Sequence, residues 1–179
     1  MPHSLKRILY LLVSVAFIAL FAQISYDVPW SDTTIPISGQ TFAVLVVGML
    51  LGKEWGALAV VIYLLIGGMG FPVFADGGSG WESFKKGTGG FLIGFAIAAF
   101  VVGYLAEKGW GQTFVKCLIA MSIGTLLIMG FGVAYLTYLY GFSKALEYGF
   151  YPFIPGAVLK VLLGALVVFF YKTKMLHKI

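Results

Sequence analysis

The chain has 179 residues, 60% of them hydrophobic and 11% charged, with a mean hydropathy of +0.98. Ordinary soluble domains are about 25% charged and about 45–50% apolar, so the composition excludes a soluble enzyme and places the whole chain, rather than one anchor, in a bilayer. The net charge of +5 comes from basic residues scattered over short loops and the chain ends, a pattern of topology signals beside anionic lipid rather than of a nucleic-acid surface.

In chain order, the basic start, residues 1–7, leads into a first apolar stretch over 8–24. No small-residue cleavage pattern follows Gln23, so this stretch reads as a retained helix and not a removable signal. The second stretch, 41–51, is short for a span and reaches a useful length only when extended back to 35. The third covers 54–67 and runs into the apolar loop 69–75, the fourth 89–106, the fifth 113–140 and the sixth 150–171. A helix rises about 1.5 Å per residue and the hydrocarbon core is about 30 Å thick. The predicted fold is therefore an all-α membrane protein, one integral membrane domain over 1–179, built as a compact bundle of six transmembrane helices. The lone Cys117 sits in an apolar run and reads as a core residue.

Lysine and arginine in short loops mark the cytoplasmic side. With both termini cytoplasmic, the inner connections hold Lys6, Arg7, Lys53, Lys108, Lys172, Lys174 and Lys178, against Lys85, Lys86 and Lys144 outside. The outer side then also receives Asp27, Asp32, Asp76, Glu82 and Glu147. Inner connections are tight turns at 52–54 and 107–112. The outer ones, 27–39, 68–88 and 141–149, are long and carry Trp30, Trp81 and Tyr148. Short turns at one end and long polar-aromatic loops at the other predict a pocket open to the outside.

No catalytic or metal constellation is present. The histidines, His3 and His177, lie in the tails, and no pair of carboxylates falls inside an apolar run. No G-x-x-x-x-G-K-[ST] phosphate loop occurs, so any use of ATP belongs to a partner. Two cations do fall inside apolar runs. Lys116 is near enough to the inner end of its stretch to snorkel to the headgroups. Lys160, some seven residues into the sixth stretch behind Pro152 and Pro155, is deeper, where an ammonium is costly unless it faces a cavity, an anion or a structural partner. The glycine-rich run K-K-G-T-G-G (85–90) offers backbone N–H groups and two ammonium groups to a carboxylate, or simply permits close helix packing.

Five runs occur in a telling order: I-P-I-S-G-Q-T-F-A-V-L (35–45), L-L-G-K-E-W-G-A (50–57), Y-L-L-I-G-G-M-G-F-P-V-F-A (63–75), G-T-G-G-F-L-I-G-F (87–95) and P-F-I-P-G-A-V-L-K (152–160). Together they resemble the BioY family over about residues 8–172, with G-F-P-V-F-A the most specific element. BioY proteins are the biotin-specific substrate-binding, or S, components of energy-coupling factor (ECF) transporters. Family members usually carry an acidic residue where Ala157 stands.

The resemblance implies an S-component-like six-helix protein of a bacterial or archaeal cell membrane that captures biotin from outside. It also implies association with one transmembrane coupling protein and two cytoplasmic ATPase subunits, which alone use ATP; no cofactor is expected. On this reading Lys160 meets a polar end of the ligand, and Gln40, Thr41, Asp76, Ser79 and Thr88 supply hydrogen bonds. Phe74, Trp81 and Phe153 cover its apolar parts. Which end meets Lys160 stays open, as do two other readings: an S component for another carboxylated vitamin such as lipoate, and a membrane scaffold subunit with no ligand.

Overall fold

The computed structural model describes residues 3–26 and 35–176. Asp27, Trp30, Asp32, His177 and Lys178 lie outside them. Helix α1 (His3–Ala22) leads to a two-residue strand, β1 (Ser25–Tyr26), that pairs antiparallel with β2 (Ile37–Ser38), Ser25 opposite Ser38 and Tyr26 opposite Ile37. The predicted helix over 35–51 therefore starts only at Gln40, as α2 (Gln40–Leu51). The physical reason is local: Pro36 has no N–H for a helix, and the strand pair holds Ile37 and Ser38 extended while Gly39 N–H donates to the Ile24 carbonyl at 2.9 Å.

A single residue separates α2 from α3 (Lys53–Gly68). Gly52 stands there at φ +84°, a left-handed conformation that a side chain resists. After α3 the chain makes a 3₁₀ turn at Ala75–Gly77, whose Asp76 is also left-handed at φ +55°, and a short α4 (Glu82–Lys85). Helix α5 (Gly89–Leu105) ends in a wide π turn at Ala106–Trp110. Helix α6 (Phe114–Tyr140) starts on Thr113, whose hydroxyl accepts from Lys116 N–H, and α7 (Phe142–Gly149) follows after Gly141. Pro152 and Pro155 hold Tyr151–Phe153 in a 3₁₀ turn, so the last helix, α8, runs over Ile154–Leu176.

The six apolar stretches each contain a helix, while α4 and α7 fall in the connections. By length and composition, four stretches of the described residues are long and apolar enough to cross a membrane: Leu5–Ala22, Gly89–Trp110, Phe114–Tyr140 and Phe142–Lys174. At 12 and 16 residues, α2 and α3 reach about 18 and 24 Å, short of the roughly 30 Å core.

Helix α5 is the hub, packed against α2, α3 and α6. Small residues allow it. A Cβ added at Gly94 would stand 3.1 Å from Ile128 Cα of α6, and one at Gly48 of α2 would stand 2.7 Å from the Ala99 carbonyl oxygen of α5. Within a bilayer, packing of this kind replaces the hydrophobic effect as the force joining helices. The large side chains point the other way. On α8, Val161, Gly164, Ala165 and Val168 are buried, whereas Leu159, Leu162, Leu163, Leu166 and Phe170 are exposed. That exposed apolar coat suits hydrocarbon rather than water, in keeping with the composition of a multi-pass membrane protein.

Candidate functional site

A cavity of about 50 Å³ opens where α2, α5 and α8 begin, beside the middle of α6. The β2–α2 entry contributes Ile35, Pro36, Ser38, Gln40 and Thr41, and Ala75 comes from the loop after α3. Thr88, Phe91, Leu92 and Phe95 line it from the start of α5, Thr125, Ile128 and Met129 from α6, and Phe153, Ala157 and Lys160 from the start of α8. Such a volume holds a few water molecules. A vitamin-sized guest therefore requires lining side chains to swing outward.

The N-terminus of α2 anchors a chain of hydrogen bonds along one wall. Ser38 Oγ donates to Gln40 Oε1 at 2.9 Å, Gln40 Nε2 donates to Tyr63 Oη at 2.5 Å, and Tyr63 Oη donates to the Val73 carbonyl at 2.8 Å. The chain fixes which way the Gln40 amide faces and leaves one of its two N–H groups free of these bonds. Across the cavity the rings of Phe91 and Phe153 stack with centroids 5.6 Å apart. Phe91 in turn lies on Gly132 of α6, where no Cβ would fit.

Lys160 comes six residues after the start of α8, about 9 Å along its axis. Among the described residues its ammonium has neither a hydrogen bond nor an ion pair. The side chain is half-buried between the cavity and a cleft beneath the strand pair lined by Ile24, Tyr26 and Ile37. A cation so placed attracts an acceptor oxygen or a carboxylate.

Of the nine residues singled out by sequence, Gln40, Thr41, Thr88, Phe153 and Lys160 line one cavity. Thr88 Oγ1 there donates to the Ser83 carbonyl at 2.8 Å, tying α4 to the start of α5. The other four stand apart from it. Phe74 is buried to 3% exposure, but its ring fills the space left by Gly67 and meets Tyr63 and Phe84 edge-on. Trp81 is 56% exposed and lies over Gly68 against Phe84. Asp76 and Ser79 are exposed, and the Ser79 carbonyl accepts from Ser83 Oγ at 3.1 Å.

The two lysines of the glycine-rich run also stay outside the cavity. Lys85 Nζ donates to Glu82 Oε1 at 2.8 Å, both side chains being exposed. That bond holds the Glu82 carboxyl below its ordinary range and raises the Lys85 ammonium above its own. Thr125, Ser38, Tyr63 and Phe91 belong to the site or its support and escaped the sequence reading. A threonine within an apolar run was the one signal for Thr125.

The BioY family profile matches residues 1–176. The "Biotin transporter BioY" of Rhizobium etli is 39% identical over 142 residues, covering 74% of this chain and 75% of the relative. That of Thermotoga maritima is also 39% identical, over 134 residues, 74% of this chain and 78% of the relative. The "Probable biotin transporter BioY" of Pyrococcus horikoshii, 32% identical, aligns over 90% of this chain and 93% of its own. Among solved structures, an S-component for biotin from an ECF-type ABC transporter superposes with a TM-score of 0.82 over 97% of this chain and 95% of that one, at 24% identity, and so shares the fold. With a profile that spans nearly the whole sequence, relatives that align along most of their own length and the same helical architecture, the chain belongs to the BioY family.

Proposed function

We propose that this protein captures biotin from outside a bacterial or archaeal cell and is the substrate-specific S component of an ECF-type ABC transporter. The observation that carries the reading is the Lys160 ammonium, inside an apolar helix and without a partner among the described residues, beside a cavity that also holds Gln40, Thr41, Thr88 and the Phe91–Phe153 stack. Biotin offers what such a cavity asks for: two polar ends, a ureido ring and a carboxylate, joined by an apolar body that the stacked rings cover. Family membership and the names of the relatives support this cargo over other carboxylated vitamins.

The finer topology belongs to the same proposal. All six long helices cross the bilayer in one membrane domain, with α2 and α3 completing their passage through their flanking residues, and both termini are cytoplasmic. The bias of lysine and arginine toward one set of connections supports this arrangement. The chain holds no phosphate loop, so the energy for release comes from ATPase subunits acting through a transmembrane coupling protein.

Equilibrium titration of the detergent-purified protein with biotin tests the cargo, with lipoate as competitor. Tight binding that resists lipoate and falls by about tenfold or more in Lys160→Ala is expected, as loss of a charged partner costs at least about 1.5 kcal/mol. Unchanged affinity in the variant dismisses the role of Lys160. Failure of the folded wild type to bind biotin dismisses the cargo.

A further inference from the structure

A serine or threonine inside an apolar helix ordinarily satisfies its hydroxyl on the carbonyl four residues back. Ser122 of α6 does so on Leu118 at 2.9 Å, Thr137 on Val133 at 2.8 Å, and Thr173 of α8 on Phe169 at 2.8 Å. Thr125, one turn from Ser122, does not. Its Oγ1 is buried without a hydrogen-bond partner among the described residues, the residue is 5% exposed, and it lines the same cavity as Lys160. A buried hydroxyl in that state carries its whole desolvation penalty, so the ligand-free protein is destabilised by a group that packing alone does not call for.

The remaining polar groups of the cavity divide in an informative way. Ser38 gives its hydroxyl and Gln40 one of its two amide N–H groups to the chain that ends on the Val73 carbonyl, and Thr88 gives its hydroxyl to the Ser83 carbonyl. Among the described residues, Thr125 and Lys160, on facing helices, keep their donors unspent, as does Thr41, which is less buried than Thr125. Thr125 and Lys160, one neutral and one cationic, can both donate a hydrogen bond to the same kind of oxygen.

We infer that Thr125 reads the ligand: its hydroxyl donates to an acceptor oxygen of bound biotin, and so it sets specificity together with Lys160. The inference rests on the biotin reading, and Ala157, a small residue, lines the same cavity as Thr125. The acceptor is the ureido carbonyl or the carboxylate, chemically alike as partners for a hydroxyl.

The test is a pair of variants, Thr125→Val and Thr125→Ser, each measured for ligand-free thermal stability and for biotin affinity by titration. The expected signature is a crossing of the two readouts. Thr125→Val is more heat-stable than wild type when empty, yet binds biotin about tenfold more weakly, because one hydrogen bond is lost and its acceptor is left buried. Thr125→Ser restores binding. Repeating the titration with the alcohol analogue of biotin, which lacks the carboxylate, identifies the oxygen: a persisting loss in the valine variant assigns it to the ureido carbonyl, and a vanishing one to the carboxylate. Unchanged biotin affinity in a folded Thr125→Val overturns the inference and leaves the biotin reading standing. Equal loss of stability and binding in both variants assigns Thr125 to packing and also overturns it. Absence of biotin binding in wild type overturns both.

Discussion

Tyr63 stands behind the cavity rather than in it, and its hydroxyl does two jobs. It accepts from Gln40 and donates to the Val73 carbonyl, so the start of α2 and the loop after α3 share one buried oxygen. Tyr63→Phe keeps the ring against Phe74 but leaves an amide N–H and a carbonyl without partners. A loss of about 1–3 kcal/mol is expected, seen as a lower thermal midpoint in detergent, together with weaker biotin binding as Gln40 loses its fixed orientation. Unaltered binding and stability would mean that water replaces the hydroxyl. At this scale the sequence was legible where chemistry and position conflict. Lys160 stood out because a charge in hydrocarbon demands a reason, whereas Thr125 did not, since a threonine in a helix usually has its own backbone for company. Asp76, Ser79, Trp81 and Phe74 fall outside the cavity lining because the loop's course depends on the left-handed turn at Asp76 and on rings seated over Gly67 and Gly68. Those are contacts that no local pattern announces.

The elements follow from two different kinds of information. Long apolar stretches announce themselves through composition, and helices occupy all six. The strand pair is invisible in sequence because each strand has two residues and its partner lies 12 or so positions away. Helix α4, four residues long, carries too little periodicity to be read. What joins the elements is the complement of small and large faces, and this is testable on α5 and α6. Gly94→Leu drives a side chain into Ile128 and Phe131, where the gap is 3.1–3.2 Å even for a Cβ. Overpacking of this kind costs about 1–3 kcal/mol, so thermal unfolding of the purified variant is expected earlier than wild type. Gly130→Ala, on the same α6 but with nothing within 4 Å, is the control. It should hold or raise stability by up to about 1 kcal/mol through a less flexible unfolded chain.

For the molecule as a whole, the cavity as it stands is too small for the proposed cargo, so binding and opening are coupled. A guest that fits only the native bundle stabilises it by mass action, about 2.7 kcal/mol at a hundred times its dissociation constant. Thermal scans at rising biotin concentration should therefore climb steadily, and a flat response would show that the ligand gains nothing from the folded state. The opposite end of the bundle says where that opening must happen. Glu107, just past α5, accepts from the Lys53 backbone N–H at 3.0 Å and faces the Lys53 ammonium at 3.7 Å, while Gly103 packs on the backbone of Gly52. Helices α2 and α5 both start at the cavity and both finish at this clasp. With their far ends fastened, an opening of the pair is expected to grow along each helix away from the clasp and to be largest beside Gln40 and Thr88, which line the cavity.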